Sequence, residues 1–149
     1  MTHPDWTEFL SSQGAHWDNT RVTHFGDTAK NVLTEKRAAL ASQTDDNTHI
    51  LCDLSHYSLI SANGEEAESF LQNQFCNDVR NVSSLQSQLN AYCTPKGRIL
   101  AFFRLFQRDD CYYLRLPQEI LEPILNRLRM YVMMSKLTLD DVSDKLARI

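Results

Sequence analysis

Residues 87–117 read SQLNAYCTPKGRILAFFRLFQRDDCYYLRLP, and this stretch decides the fold. Two turn signals divide it into three β-rich segments: Pro95 followed by Gly97, and then the run RDDC at residues 108–111. On the middle segment, one face carries Ile99, Ala101, Phe103 and Leu105. The opposite face carries Leu100, Phe102 and Phe106 together with arginines, so we expect it to be partly covered as well. The stretch therefore predicts a meander of antiparallel strands.

Helices and further strands are predicted on both sides of the meander. Before it, YSLISA reads as a strand, and Asn63 with Glu66 three residues later reads as the N-cap and partner of a helix. The buried stripe of that helix is Ala67, Phe70, Leu71 and Phe75. After the meander, apolar residues recur at helical spacing from Gln118, with Pro123 in or near the first turn, and KLTLDD reads as a last strand. The order predicts an α+β fold, a mainly antiparallel sheet with packed helices.

The organised part of the chain is predicted to begin near residue 49. Residues 1–48 read as an N-terminal extension and linker, with a short helix in DWTEFLSSQGA, a strand in RVTHFG and a helix in TAKNVLTEKRAALAS. QTDDNTH then reads as a polar linker, and ILCDLS as the first strand of the domain at 49–149.

Composition narrows the class of protein. The chain has 149 residues, 42% of them hydrophobic and 23% charged, which is typical of one globular domain. No apolar run is long enough to span a bilayer and no secretory leader is visible, so we expect a cytoplasmic protein without membrane contact. The four cysteines form no CxxC pair, and we expect buried, reduced thiols and no metal site.

Charge is unevenly distributed although the net charge is only −4. Residues 80–136 contain nine basic and four acidic side chains. Such an excess suits an anionic ligand or RNA, and it equally suits solvated strand and helix exteriors. The tightest basic feature is TPKGR, where Lys96 and Arg98 flank a turn glycine.

The stretch FLQNQFCNDVR, residues 70–80, is unusual because neutral amide side chains crowd around one helix and its exit. It raises a question about what those amides bind. Elsewhere the chain has no GxGxxG, Walker A, HExxH or GxSxG motif. Asp53 and His56 are close in sequence, but no nucleophile accompanies them.

Taken together, the pieces resemble the glycine cleavage T-protein superfamily. DLSHYSLISANGEEAESFLQNQFCNDV is similar to the family's opening signature, with its D-L-S-H start, a glycine before an acidic helix, F-L-Q and N-D-V. The F-L-Q-x-Q form, the P-K-G-R turn and RMYVMMSKLTL point to the YgfZ-type folate-binding branch, which is associated with iron–sulfur cluster maintenance and tRNA modification. The resemblance covers about residues 50–145, the N-terminal part of the family only. The family's Lys-Gly-Cys motif is absent, because the only Lys-Gly is followed by Arg98.

The resemblance implies a site for tetrahydrofolate or a derivative. Its residues would be His56, Tyr57, Asn77, Asp78, Lys96 and Arg98. Neutral amides suit the donors and acceptors of a pterin edge, whereas Lys96 and Arg98 suit the glutamate tail or phosphates. Capping and turn formation by Asn77 and Asp78, and a plain core role for Tyr57, are equally open.

The resemblance also implies a non-catalytic accessory protein. The equivalent strand of aminomethyltransferases carries carboxylates, whereas no Asp or Glu lies between Arg98 and Phe106. The implied partners are iron–sulfur enzymes, with a weak contact to tRNA and a homodimer that supplies the missing half of the pocket as further expectations. The alternatives are an aminomethyltransferase-like enzyme fragment and a basic module that binds RNA or protein.

Overall fold

The computed structural model describes residues 4–18, 21–25, 54–132 and 135–146. The chain divides into two compact units, Met1–His56 together with Asp144–Ile149, and Tyr57–Ser143. Each unit is described by itself. The predicted boundary between residues 48 and 49 stays a prediction.

The first unit contains helix α1 (Pro4–Ser12), which buries Leu10, and a two-stranded antiparallel sheet. Its strands are β1 (Ala15–Asp18) and β2 (Arg21–Phe25). The helix and β2 were predicted from the sequence, whereas β1 was not. The predicted helix at 28–42, the linker at 43–49 and most of ILCDLS lie outside the described residues.

The second unit is a five-stranded antiparallel sheet with two α-helices. Its elements are β3 (Tyr57–Asn63), α2 (Ala67–Gln74), β4 (Gln88–Cys93), β5 (Ile99–Arg108), β6 (Cys111–Pro117), α3 (Leu121–Arg129) and β7 (Thr138–Asp141). Short 3-10 helices occupy Val79–Asn81 and Gln118–Ile120. The strand order is β4-β5-β6-β3-β7, and every neighbouring pair is antiparallel. The predicted α+β class is confirmed.

Both helices of this unit pack on one face of the sheet. The predicted stripe of α2, from Ala67 to Phe75, is buried and belongs to one apolar cluster with α3 and alternate residues of the strands. The ring of Phe75 lies edge-on to Phe103, with centroids 4.6 Å apart. Alternation along β5 puts Phe103 and Leu105 into this core, as predicted. The meander, β3 and β7 therefore together supply the face of the sheet on which the helices pack.

Two local predictions were wrong. Ile99 is 61% exposed, because the ladder shifts between Tyr92 and Cys93 and the alternation of β5 starts irregularly. Asn63 is the last residue of β3, and α2 begins at Ala67 after Glu66 without a side-chain cap. The Glu66 carboxylate instead accepts a 2.6 Å hydrogen bond from the backbone N–H of Lys136.

The hairpin between β5 and β6 is a two-residue turn with an unusual sequence. Asp109 and Asp110 both have positive φ, 50° and 58°, and Arg108 pairs with Cys111 across them. A type I′ turn, whose twist matches that of paired strands, requires two successive residues with positive φ. Aspartate tolerates this conformation better than most residues, so RDDC forms a tight turn as predicted.

Replacing Gly64 with alanine should destabilise the chain far more than replacing Gly97. An added Cβ at Gly64 would lie 2.2 Å from the Lys136 carbonyl oxygen, and its φ is +142°. At Gly97 φ is +76° but nothing lies within 4 Å of the added Cβ. We expect a loss of about 1–2 kcal/mol for Gly97→Ala and a clearly larger loss for Gly64→Ala in urea unfolding. Equal losses would contradict the close approach at Gly64.

Tyr112 should make the fold sensitive to alkaline pH. Its hydroxyl donates a 2.9 Å hydrogen bond to Glu68 on α2, and burial and this hydrogen bond raise the pKa of Tyr112 to about 12. The unfolded chain ionises first, so this stability is present below pH ~10 and is lost as the pH rises toward 12. Between those values wild type should lose about 2 kcal/mol more than Tyr112→Phe.

The exposed Tyr131 provides the matched control. Tyr131→Phe should follow the wild-type pH profile of urea unfolding. A Tyr112→Phe chain with the same alkaline loss as wild type would contradict the assignment.

Candidate functional site

The chain that leaves α2 runs along the outer edge of β4. Phe75 forms an antiparallel bridge with Tyr92, and the backbone N–H of Cys76 donates to the Ala91 carbonyl at 3.1 Å. Beyond this point regular pairing stops, although the strand edge still presents backbone groups that need partners. From this point on, side-chain amides provide the hydrogen bonds that a paired strand would otherwise provide.

Asn90 on β4 is the centre of these contacts. It is fully buried, and its Oδ1 accepts from the backbone N–H of Asn77 at 3.0 Å and of Ala91 at 2.8 Å. Its Nδ2 donates to the Asn77 carbonyl at 3.2 Å. One side chain thus satisfies both backbone groups of Asn77, as a strand neighbour would.

Three further amides complete the network. Gln72 Oε1 accepts from the Val79 N–H at 2.7 Å, and Gln88 Nε2 donates to the Asp78 carbonyl at 3.0 Å. Asn77 Nδ2 donates to the Leu89 carbonyl at 2.8 Å. The amides around FLQNQFCNDVR therefore hold the exit of α2 against β4. The Oδ1 atom of Asn77 has no hydrogen bond among the described residues, so Asn77 keeps one acceptor for a ligand.

Asp78 caps the 3-10 helix that follows. Its Oδ1 accepts from the Arg80 N–H at 3.1 Å, and its carboxylate forms a two-point ion pair with the Arg80 guanidinium at 2.8 Å. The side-chain hydrogen bond to Arg80 is the main cause that lowers the pKa of Asp78. Asp78 therefore stays ionised and engaged with Arg80. The capping alternative for this residue has direct geometric support.

The turn between β4 and β5 presents two free cations. The Gly97 N–H donates to the Thr94 carbonyl at 2.9 Å, and Thr94 Oγ1 accepts from the Arg98 N–H at 3.1 Å. Lys96 and Arg98 are both exposed, and neither side chain forms an ion pair or hydrogen bond within the described ranges. The turn is thus closed by hydrogen bonds to its backbone groups, and both charges extend into solvent.

His56 and Tyr57 fall in different units and are described separately. His56 is half-buried in a turn of the first unit. Tyr57 is the first residue of β3 and half-buried, and the Arg115 guanidinium lies 5.1 Å from the centroid of its ring. The ring of Tyr57 therefore already has a cation on one face.

The structure places the second unit's predicted site residues in two groups. Tyr57 pairs with Pro117, and the turn of Lys96 and Arg98 precedes β5, so these three residues lie at the same end of the sheet. Asn77 contacts Leu89 near the other end of β4, about 13 Å along the strand from Cys93 at ~3.3 Å per residue. The candidate site is accordingly elongated.

Sequence reasoning missed Asn90 and Gln88, and it was wrong about the thiols. The signal available in the sequence was a polar residue at position 90 between apolar residues of β4, which indicates a buried amide. The expectation of buried thiols holds for Cys111, but Cys76 is exposed and its Sγ lies 3.3 Å from that of Cys93. Cys52 lies outside the described residues.

Two absences, of a metal-binding cluster and of a membrane-spanning helix, hold for the part of the chain that the structure describes. No group of three or more His, Cys, Asp or Glu side chains there is arranged to hold a metal ion. No helix in that part is long and apolar enough to cross a membrane.

The fold is that of the glycine cleavage T-protein class. The chain superposes on the crystal structure of the glycine cleavage system aminomethyltransferase T from Bartonella henselae with a TM-score of 0.67. The match has 18% sequence identity and covers 96% of this chain and 38% of that one. At this identity the likeness establishes the fold alone.

Sequence comparison identifies which branch of this class the chain is similar to. The chain is 32% identical over 109 residues to the tRNA-modifying protein YgfZ of Colwellia psychrerythraea, covering 73% of this chain and 33% of that protein. It is 32% identical over 116 residues to the protein of the same name from Photobacterium profundum, covering 78% and 35%. An uncharacterized protein of Haemophilus influenzae is 36% identical over 88 residues, covering 58% and 31%. No family model matches the chain.

The predicted resemblance to the YgfZ-type branch of the T-protein superfamily is confirmed. The chain spans about a third of the length of the curated relatives it matches. This partial coverage fits the expected match to one part of the family, its N-terminal part.

Removing the Asn90 side chain should destabilise the chain strongly. Asn90→Ala leaves the N–H and carbonyl of Asn77 without their partner on the edge strand β4. We expect a loss of about 2–4 kcal/mol in urea unfolding. The control is Asn73→Ala, which replaces an exposed amide on α2 and should stay within about 0.5 kcal/mol of wild type. Similar losses in both variants would contradict a structural role for Asn90.

Proposed function

We propose that this chain is a folate-binding, non-catalytic part of a YgfZ-type protein that acts in tRNA modification and in the maturation of iron–sulfur proteins. The relatives' name, tRNA-modifying protein, supports the first role. The T-protein fold supports the folate ligand. The link to iron–sulfur enzymes as partners rests on the resemblance to the YgfZ branch.

The observation that carries the ligand proposal is the pair of unpaired cations at Lys96 and Arg98. The tail of a folate ends in carboxylates, and a guanidinium binds a carboxylate through two parallel hydrogen bonds. A lysine two residues away adds a second positive charge. Because the turn backbone is already held by hydrogen bonds, the ordering cost of binding the tail falls mainly on these two side chains.

The other end of the ligand would reach the amide-lined edge of β4. A pterin ring carries hydrogen-bond donors along its edge, and Asn77 Oδ1 is an acceptor left free by the amide network. A folate has its ring and its carboxylates at opposite ends, which suits the separation between Asn77 and the turn. Tyr57 lies at the end of the sheet that carries Lys96 and Arg98, so it is a candidate contact for the tail. The role of His56 stays a prediction. The carboxylate of Asp78 is already paired with Arg80, so Asp78 would contribute to binding only by holding the loop in position.

The non-catalytic part of the proposal rests on β5. The strand after the Lys96–Arg98 turn has the sequence ILAFFRLFQR and contains no carboxylate. An aminomethyl transfer that uses a carboxylate on this strand has no residue here to orient the reacting amine. A turnover assay with tetrahydrofolate and a lipoyl-bound aminomethyl donor should give no product, and product formation would overturn this part.

Calorimetric titration of the chain with 5-formyltetrahydrofolate should give saturable binding. Lys96→Ala and Arg98→Ala should each weaken it, by about threefold to tenfold for an exposed charged contact. The matched control is Arg108→Ala, which removes another exposed arginine from the other hairpin turn, at the opposite end of β5. Loss of affinity in Arg108→Ala equal to that in Arg98→Ala would mean non-specific attraction.

A dimer is tested by repeating the titration at two chain concentrations. If a second copy supplies the rest of the pocket, the fraction of chains that bind should rise with concentration. Binding that is absent at every concentration would overturn the proposal that this part of a YgfZ-type protein holds folate.

A weak contact with tRNA is a second candidate, favoured by the basic excess of residues 80–136. Arg98, Arg108 and Arg129 are exposed in that segment. Contacts of this kind release counterions, so affinity for tRNA should fall steeply between 50 and 200 mM salt. Absence of binding at low salt in a filter assay would exclude this candidate.

A further inference from the structure

Cys76 and Cys93 are separated by 17 residues in sequence but adjoin in space. Because Phe75 bridges Tyr92 and both rings turn into the core, the following cysteine and the strand's last residue share the opposite side. Their Sγ atoms lie 3.3 Å apart. Cys76 is exposed and Cys93 is half-buried, so solvent and small molecules reach the pair through Cys76.

We propose that Cys76 and Cys93 form a redox-active dithiol, which thiol–disulfide exchange with a small-molecule disulfide converts into an intrachain disulfide. Oxidised glutathione represents this class of oxidant. The site is independent of the folate proposal, because it requires only the two cysteines and the disulfide that enters.

The exchange proceeds in two balanced steps. The Cys76 thiolate attacks one sulfur of the oxidant, a mixed disulfide forms, and the first half leaves as a thiolate that takes a proton. Cys93 then loses its proton and attacks Cys76 Sγ, which forms the intrachain bond and releases the second half as a thiol. Two protein thiols are oxidised, and one small-molecule disulfide is reduced to two thiols.

The surroundings of the two thiols indicate which cysteine reacts first with the oxidant. Cys76 is the more exposed sulfur and is open to the first attack. The contact with Cys76 is the main cause that raises the pKa of the Cys93 thiol, which makes Cys93 the less readily ionised of the two before the mixed disulfide forms. The remaining movement is small, because the sulfurs need to approach from 3.3 Å to about 2.05 Å.

Cys111 offers an internal comparison. The residue is 8% exposed, and its Sγ contacts the Ala62 and Tyr112 carbonyls and the side chain of Tyr113. Burial raises the pKa of the Cys111 thiol. It has no sulfur neighbour among the described residues and should stay reduced under conditions that oxidise the pair.

The test uses the full chain equilibrated in glutathione buffers of increasing oxidised fraction, then alkylated and digested with trypsin. Cleavage after Arg80 and Lys96 separates the two cysteines into the peptides 38–80 and 81–96. Since the first peptide also contains Cys52, the Cys52→Ser chain is the reference background. We expect a disulfide-linked pair of these peptides, which disappears when reduced glutathione is added.

Matched variants identify the sulfurs. Cys76→Ser and Cys93→Ser should each abolish the linked peptides, and Cys111→Ser should retain them. The oxidised chain should melt about 5–10 °C higher than the reduced chain, because the bond closes a loop and restricts the unfolded state. Linkage through Cys111, dimers joined by disulfides, or a mixed disulfide that never resolves would each overturn the proposal.

A second measurement needs no further variant beyond the Cys52→Ser background. Phenylarsine oxide bridges two thiols that lie close together, so one equivalent should protect two thiols of the folded Cys52→Ser chain from alkylation. Mass spectrometry should place both in peptides 38–80 and 81–96. Protection of no thiols, or of Cys111, would contradict the adjacency on which the site depends.

Discussion

The buried amide of Asn90 is the constraint on which this end of the structure depends. Helix α2 can pack its apolar stripe on the sheet only if the chain leaving it finds partners for its backbone. Asn90 provides both a donor and an acceptor for Asn77 from a fully buried position. It acts where regular strand pairing ends, and so fixes the path that brings Cys76 beside Cys93 and Asp78 beside Arg80.

This constraint separates the groups that hold the fold from those that face solvent. Gln72 through its oxygen, Gln88 through its nitrogen and Asn90 through both atoms bond to backbone partners. Lys96 and Arg98, in contrast, extend from a turn whose backbone is closed by its own hydrogen bonds. Among the described residues, the two charges at the turn and the Oδ1 atom of Asn77 have no protein partner. The polar residues that cluster in the sequence are thus divided by geometry into those bonded inside the fold and those left to solvent.

Much of the fold followed from sequence, because its signals are local. Alternation along β5, the stripe of α2 and the turn residues at 95–97 and 108–111 each act over a few residues. The errors arose where distant segments decide the outcome. Glu66 bonds to the chain near Lys136 and does not form a capping box, and a ladder shift exposes Ile99. No pattern of spacing pairs Cys76 with Cys93, since their contact depends on the bridge between Phe75 and Tyr92.

The most direct test of this division is a two-dimensional amide NMR titration of the ¹⁵N-labelled chain with 5-formyltetrahydrofolate. The account predicts that signals of residues 94–98 and the Asn77 side chain shift on binding. The side-chain amides of Gln72 and Asn90 should keep their positions, because Gln72 bonds inside the protein through its oxygen and Asn90 through both its oxygen and its nitrogen. Shifts at Asn90 and Gln72 with an unchanged turn would contradict the account, since they would mean that the ligand competes for the amides that hold the loop.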